Sequence, residues 1–125
     1  MKLYRDEDAG LNLVTGYDAA HIAIQRERHE MSLVVMPKRA PQAWGQAGFE
    51  GLTEADFAAI VALSPALVLI GTGARQRFPK PALLRPLIDA RIGFEVMDTG
   101  SACRTYNILA GEGRVVAAAL LLDAI

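Results

Sequence analysis

Two short segments of this 125-residue chain hold residue types at spacings that could do chemistry. Gly71-Thr72-Gly73 follows an apolar run, as phosphate-binding turns follow a strand, and its glycines could bring a ligand close to backbone amides. Arg75 and Arg77 are the nearest cationic partners for such an anion. A dinucleotide fingerprint would need a third glycine where Gln76 stands, and no Gly-Lys-Ser/Thr follows for a nucleotide phosphate. The competing reading is a tight turn that only reverses the chain.

The second segment runs from Asp98 to Asn107 and opens a helix. Thr99 or Ser101 can cap it, a contribution of about 1 kcal/mol. Arg104 falls in the first turn, where a cation opposes the helix dipole. Something negative must offset it, either Asp98 or a bound carboxylate or phosphate. The dipole and Arg104 also favour a Cys103 thiolate. Against that, Cys103, Tyr106 and Ala110 share one helix face, the usual spacing of a core stripe. Gly71, Thr72, Gly73, Asp98, Thr99, Cys103, Arg104 and Asn107 are therefore the expected pocket residues, with no catalytic residue assigned. Ser101, Asp98 and His21 or His29 could form a triad, but no nucleophile-elbow sequence accompanies them. No His, Cys or carboxylate pair has metal-site spacing, and no cofactor is expected. Trp44, the only tryptophan, could wall a pocket, anchor a protein partner together with Arg75, or cover the core.

The elements that must position these residues form one domain, 1–125. Leu11–Val14 and His21–Ile24 read as short strands around a turn at Gly16-Tyr17-Asp18, with a second exposed turn at Glu27–Glu30. Ile22 and Ile24 alternate with His21, Ala23 and Gln25, as in a half-buried antiparallel strand. Apolar strands follow at 32–36, 66–70, 92–97 and 114–122. Between them lie helices at Glu54 to about Leu63, within Pro81–Arg91, and at about Ser101–Ala110. Thr53 and Asp56 make a capping box with Leu52 and Phe57 as its staple. Pro86 requires the second helix to start late or to kink, and Gly111 is a natural left-handed stop for the third. The expected architecture is α/β, with a three-layer, mostly parallel central sheet from three consecutive βαβ units and an N-terminal antiparallel addition. Ligands settle outside the carboxyl ends of such strands, so 37–51, 71–79 and 98–103 should converge there.

Composition narrows the function classes. Thirteen basic residues against fourteen acidic ones create no field for nucleic acid or an anionic membrane. The longest apolar stretch, 115–122, falls far short of the roughly 20 residues that span a bilayer. A single cysteine precludes an internal disulfide and suits a reducing compartment. The N-terminus, Met1 to Asp8, is too acidic for a secretory or transit signal. A cytoplasmic location, without membrane insertion, is the expectation.

Several ordered segments carry a resemblance. Trp44, Gly71-Thr72-Gly73 with Pro79, Glu95 to Thr99, Ala102 to Leu109 and Glu112 to Ala119 together resemble a small α/β family of bacterial and archaeal proteins. That family includes a mitochondrial respiratory complex I assembly factor and an adipogenesis-associated protein. The resemblance implies a three-layer fold, no established enzymatic activity or cofactor, and action through protein contacts. The functional expectation is thus a non-enzymatic interaction or assembly-factor-like protein. The alternative is a small-anion binding protein or enzyme that uses the strand-end pocket.

Overall fold

The computed structural model describes residues 10–123 as two sheets and three helices. A small antiparallel sheet comprises β1 (Val14–Asp18), β2 (His21–Ile24) and β3 (Glu27–His29). The larger sheet contains β4 (Leu33–Met36), β5 (Arg39–Ala43), β6 (Leu67–Gly71), β7 (Gly93–Met97) and β8 (Val116–Leu120), in the order β5-β4-β8-β6-β7. Its helices are α1 (Glu54–Val61), α2 (Arg85–Asp89, preceded by a 3-10 turn over Pro81–Leu84) and α3 (Thr99–Gly111).

The large sheet is mixed, which corrects the first of the three expected βαβ units: it opens from β5 rather than from β4. β6 pairs in parallel with β7 and β8, but β4 is antiparallel to both β5 and β8. The reason is β5, which the sequence conceals behind Pro41. A proline cannot donate to a ladder and is tolerated on an edge strand, where β5 lies. β4 therefore turns back at Pro37-Lys38 rather than crossing over. Three crossovers remain, the first from β5, which runs parallel to β6 and β8, through α1 to β6. The chain next passes outward from β6 through α2 to β7, then back over β6 through α3 to β8. Right-handed crossovers in opposite directions place their helices on opposite faces.

Side chains along the strands divide accordingly. Leu33 and Val35 of β4, Leu69 of β6, and Val116, Ala118 and Leu120 of β8 join α3 and the small sheet in one core cluster. Val34, Met36, Val68, Ile70, Ala117 and Ala119 join α1 and α2 in the other. The period of two is that of a sheet buried on both faces. Ala117, Ala118 and Ala119 in the central strand are wholly buried. Their small side chains leave room for Tyr106 in one cluster and Phe57 in the other, the two largest fully buried residues.

Other boundaries shift for local reasons. Gly16-Tyr17-Asp18 belongs to β1 rather than to a turn, and Glu27–His29 is a strand rather than an exposed turn. The β2–β3 hairpin turns at Gln25 and Arg26, both left-handed at φ 49° and 70°. Primed hairpin turns need that conformation but usually take Gly, Asn or Asp. Here the Gln25 amide donates to the Leu13 carbonyl and the Arg26 amide to the Thr15 hydroxyl. The capping box at Thr53–Asp56 is formed as expected. The helical region after Pro81 does start late, with Pro86 in the first turn of α2. The left-handed residue after α3 is Gly113 (φ 84°), two positions beyond the expected Gly111. The charge pattern of Met1–Asp8 lies outside the described residues.

Enlarging Ala118 tests the packing directly. Ala118→Leu should lower unfolding free energy by about 1–3 kcal/mol, whereas Ala58→Leu on the exposed face of α1 should stay within about 0.5 kcal/mol. Denaturant titration of the two variants distinguishes them.

Candidate functional site

The connections that leave β6 and β7 run to helices on opposite faces of the sheet, and a crevice is expected outside the carboxyl ends of the parallel strands. A cavity of about 210 Å³ lies there. Gly73 follows β6, Asp98, Thr99 and Gly100 follow β7, and Asp123 follows β8; Tyr17 and Asp18 reach it from the small sheet. Of the expected pocket residues, Gly73, Asp98 and Thr99 line the cavity, while Gly71, Thr72, Cys103, Arg104 and Asn107 do not.

Thr99, buried at the first turn of α3, ties these ends together. Its hydroxyl accepts a hydrogen bond from the Gly73 amide (2.8 Å) and donates to the Leu121 carbonyl (2.6 Å). Its own amide donates to the Gly73 carbonyl, and the Leu121 amide donates to that of Gly71. Gly71 permits this contact, because a Cβ there would stand 2.9 Å from Thr99 Cα.

The Gly-Thr-Gly turn does hold an anion, and that anion is Asp123. Its carboxylate accepts from the Ala74 amide (2.6 Å) and from Arg77 Nη2 (3.1 Å). Gly73 sits at φ +94°, and a Cβ at this position would fall 2.3 Å from an Asp123 oxygen. The glycine thus supplies both a left-handed turn and the space for the carboxylate. Arg77 also donates from Nε and Nη2 to the Thr72 carbonyl and lies 4.6 Å over the Phe49 ring. The Thr72 hydroxyl donates to the Arg75 carbonyl and accepts from the Arg77 amide, which folds 72–77 onto itself. The Arg75 side chain remains exposed.

The start of α3 resolves in the same way. Asp98 is its N-cap and accepts from the Ser101 amide (2.8 Å) and hydroxyl (2.7 Å). Those bonds, together with nearby Arg104, hold its carboxyl below the ordinary value of 3.8. Arg104 extends outward, donating to the Ser101 hydroxyl (3.1 Å) and to the Tyr17 hydroxyl. The charge that offsets the unfavourable cation is thus Asp98, reached through Ser101. Cys103 is buried in the core, and burial pushes its thiol up to about 12. At neutral pH it is a protonated core residue. Asn107 clasps the backbone of Val14, accepting from its amide (2.8 Å) and donating to its carbonyl (2.7 Å). Tyr106 donates to the Asn12 carbonyl (2.6 Å). Both residues fasten the small sheet to α3.

Trp44 covers the core. Its indole N–H donates to the Asp56 carbonyl (2.8 Å), and its ring meets Phe57 edge-on at 5.7 Å. Pro37 does not reach the carboxyl edge, because antiparallel β4 delivers it to the opposite end of the sheet. His21 pairs with Asp18 (2.8 Å) in the small sheet, not with Ser101 or Asp98. Among the described residues, no cluster of His, Cys and carboxylates could hold a metal ion. No helix there is long and apolar enough to cross a membrane.

Sequence reasoning missed Tyr17, Asp18 and Asp123. Asp123 could have been found, since it directly follows the fourth predicted strand, 114–122, at the same edge. Tyr17 and Asp18 had no signal, because only the docking of a separate sheet brings them there. Their inclusion matters. The charged lining is Asp18, Asp98 and Asp123, with no cation among the residues around the cavity.

Two substitutions probe this junction. Thr99→Val leaves the Gly73 amide and Leu121 carbonyl without their shared partner and should destabilise by roughly 1–3 kcal/mol, while Thr99→Ser should restore most of the loss. Asp98→Ala should cost about 1 kcal/mol at pH 7. Because the folded carboxyl titrates below 3.8, its contribution is present above that value and fades as pH falls through the lower folded one. Denaturant curves at pH 7 and in the acid range should therefore show the difference from the parent protein narrowing.

Comparison with known proteins sets these features in a wider group. The chain is 32% identical over 110 residues to the Bos taurus protein named NADH dehydrogenase (ubiquinone) 1 alpha subcomplex assembly factor 3, covering 86% of this chain and 59% of that one. It spans less than two-thirds of the length of each such assembly factor it matches. A crystal structure of a Bordetella parapertussis protein superposes with a TM-score of 0.85 at 36% identity, covering 92% of this chain and 98% of its own. The solution structure of a Bordetella pertussis protein described as a Mth938-like domain gives 0.79 at 30% identity, with 99% and 94% covered. The profile of the family described as proteins of unknown function (DUF498/DUF598) matches residues 14–121, and the chain belongs to that family.

Proposed function

We propose that this chain is a non-enzymatic, assembly-factor-like protein of the cytoplasm that acts by holding another polypeptide. The observation that carries this reading is the closure of the strand-end junction. The Gly73 and Ala74 amides, which could have received a substrate anion, are engaged by Thr99 and Asp123. Arg77 is engaged by Asp123, and Cys103 is buried. The remaining cavity is lined by the carboxylates of Asp18, Asp98 and Asp123, each already held by a partner, and no cation lines it to receive a small anion. The names of the assembly-factor relatives agree with a role in contacts rather than turnover.

A partner surface is available elsewhere. β7 is an edge strand whose ladder is formed with β6 alone among the described residues. The adjacent loop presents Arg75 and Phe78, the latter 71% exposed. Gln76 already bonds the Val96 carbonyl (2.8 Å), so the loop lies along that edge. The part of this edge not taken by Gln76, beside an exposed aromatic and an Arg, suits a polypeptide partner. Trp44, engaged in the core, is not part of this surface.

Tagged protein expressed in its own cells should elute with one stoichiometric partner, cross-linked to residues 75–97. Arg75→Glu combined with Phe78→Ser should weaken that association at least about tenfold without unfolding the chain. Elution of the unaltered protein alone, together with normal assembly of every complex in a deletion strain, would contradict the proposal.

A further inference from the structure

The opposite end of the large sheet holds a second and larger cavity, of about 380 Å³. It forms because antiparallel β4 brings the β4–β5 turn beside the ends of α1 and α3 and the approach to β8. Met36 and Ala110 are its buried apolar lining, Leu63 is half-buried, and Val115 is 51% exposed at the mouth. Lys38 and Arg39 from the turn, and Arg114 from the approach to β8, also line it, and no acidic residue does. All three cations are exposed. Among the described residues none of them has a side-chain ion pair. The carboxyl end of α3 is here, but it supplies only about half a negative charge. That offsets at most part of one of the three charges.

We infer that this cavity is a binding site for a medium-chain fatty acid, its apolar tail against Met36, Leu63, Ala110 and Val115 and its carboxylate between Lys38, Arg39 and Arg114. The volume lies within the usual range of ligand sites, about 300–1,000 Å³. At about 30 Å³ per heavy atom, the liquid-water value, it accommodates about a dozen, the size of decanoate. An apolar body with a few convergent polar groups is the ordinary composition of such a site. The two arginines can each present a planar fork to a carboxylate. This site is separate from the strand-end junction and does not depend on the interaction role.

The test is an NMR titration of the full chain with sodium decanoate below its micelle threshold. Saturable shifts are expected, confined to amides of 36–39, 63 and 110–115, with a Kd below about 1 mM. Decanol, without the charge, and acetate, without the tail, should each bind at least about tenfold more weakly. Arg39→Gln with Arg114→Gln should weaken decanoate about tenfold. Val115→Trp, which fills the mouth from an exposed position, should abolish binding with the spectrum otherwise preserved. Absence of saturable shifts, equal binding of decanol, shifts centred on the Asp98 cavity, or association with lipid vesicles but not monomeric decanoate would each overturn the assignment. Equal overturning weight attaches to a concentration-dependent doubling of mass that masks residues 110–115, since a second copy would then be the occupant.

Discussion

A single buried hydroxyl, that of Thr99, is the point on which the arrangement of this protein turns. It joins the end of β6 through Gly73 to the end of β8 through Leu121, and it does so from the first turn of α3. A buried polar group stabilises only when its capacity is met, and here donor and acceptor are both used. With the hydroxyl in place, Gly71 lies against the helix backbone and Asp123 can reach the glycine turn. The same helix then carries Tyr106 and Asn107 to the backbone at Asn12 and Val14, which fastens the small sheet over the first core cluster.

This junction changes the meaning of a familiar pattern. A glycine-rich turn after a buried strand, beside a helix start and two arginines, reads as a seat for a phosphate or carboxylate. The physics of that reading holds: amides, a left-handed glycine and a guanidinium do converge on a carboxylate. The carboxylate belongs to the chain itself, on Asp123, and the seat is structural. The charged residues that line the neighbouring cavity are consequently acidic rather than basic. The proposed partner and ligand surfaces lie elsewhere, at the β7 edge and at the cationic cavity at the far end of the sheet.

Much of this was legible in the sequence, and the failures have physical causes. Strands covered on both faces, such as β6 and β8, announce themselves as apolar runs, and the α1 cap follows from Thr53 and Asp56. The face shared by Cys103, Tyr106 and Ala110 is the core stripe that its spacing implies. β5 was hidden because Pro41 argues against a strand unless its place at the sheet edge is known, and the direction of β4 was lost with it. The hairpin at Gln25-Arg26 lacks turn residues because bonds from Leu13 and Thr15 hold its left-handed pair. At the site, Asp98 and Thr99 were accessible from the chemistry of helix starts. The partners of Arg104 and Asn107, Tyr17 and Val14, were not, since the small sheet brings them across more than eighty residues.

The claim that the glycine turn is already occupied is most directly tested by native-state hydrogen exchange at its own amides. If Thr99 and Asp123 hold them, the Gly73 and Ala74 amides exchange slowly, and the more buried Gly73 amide opens only with the global unfolding of the domain. Exchange of both at the rate of a free surface loop, with protection appearing on addition of phosphate, would show an open anion seat and contradict the account.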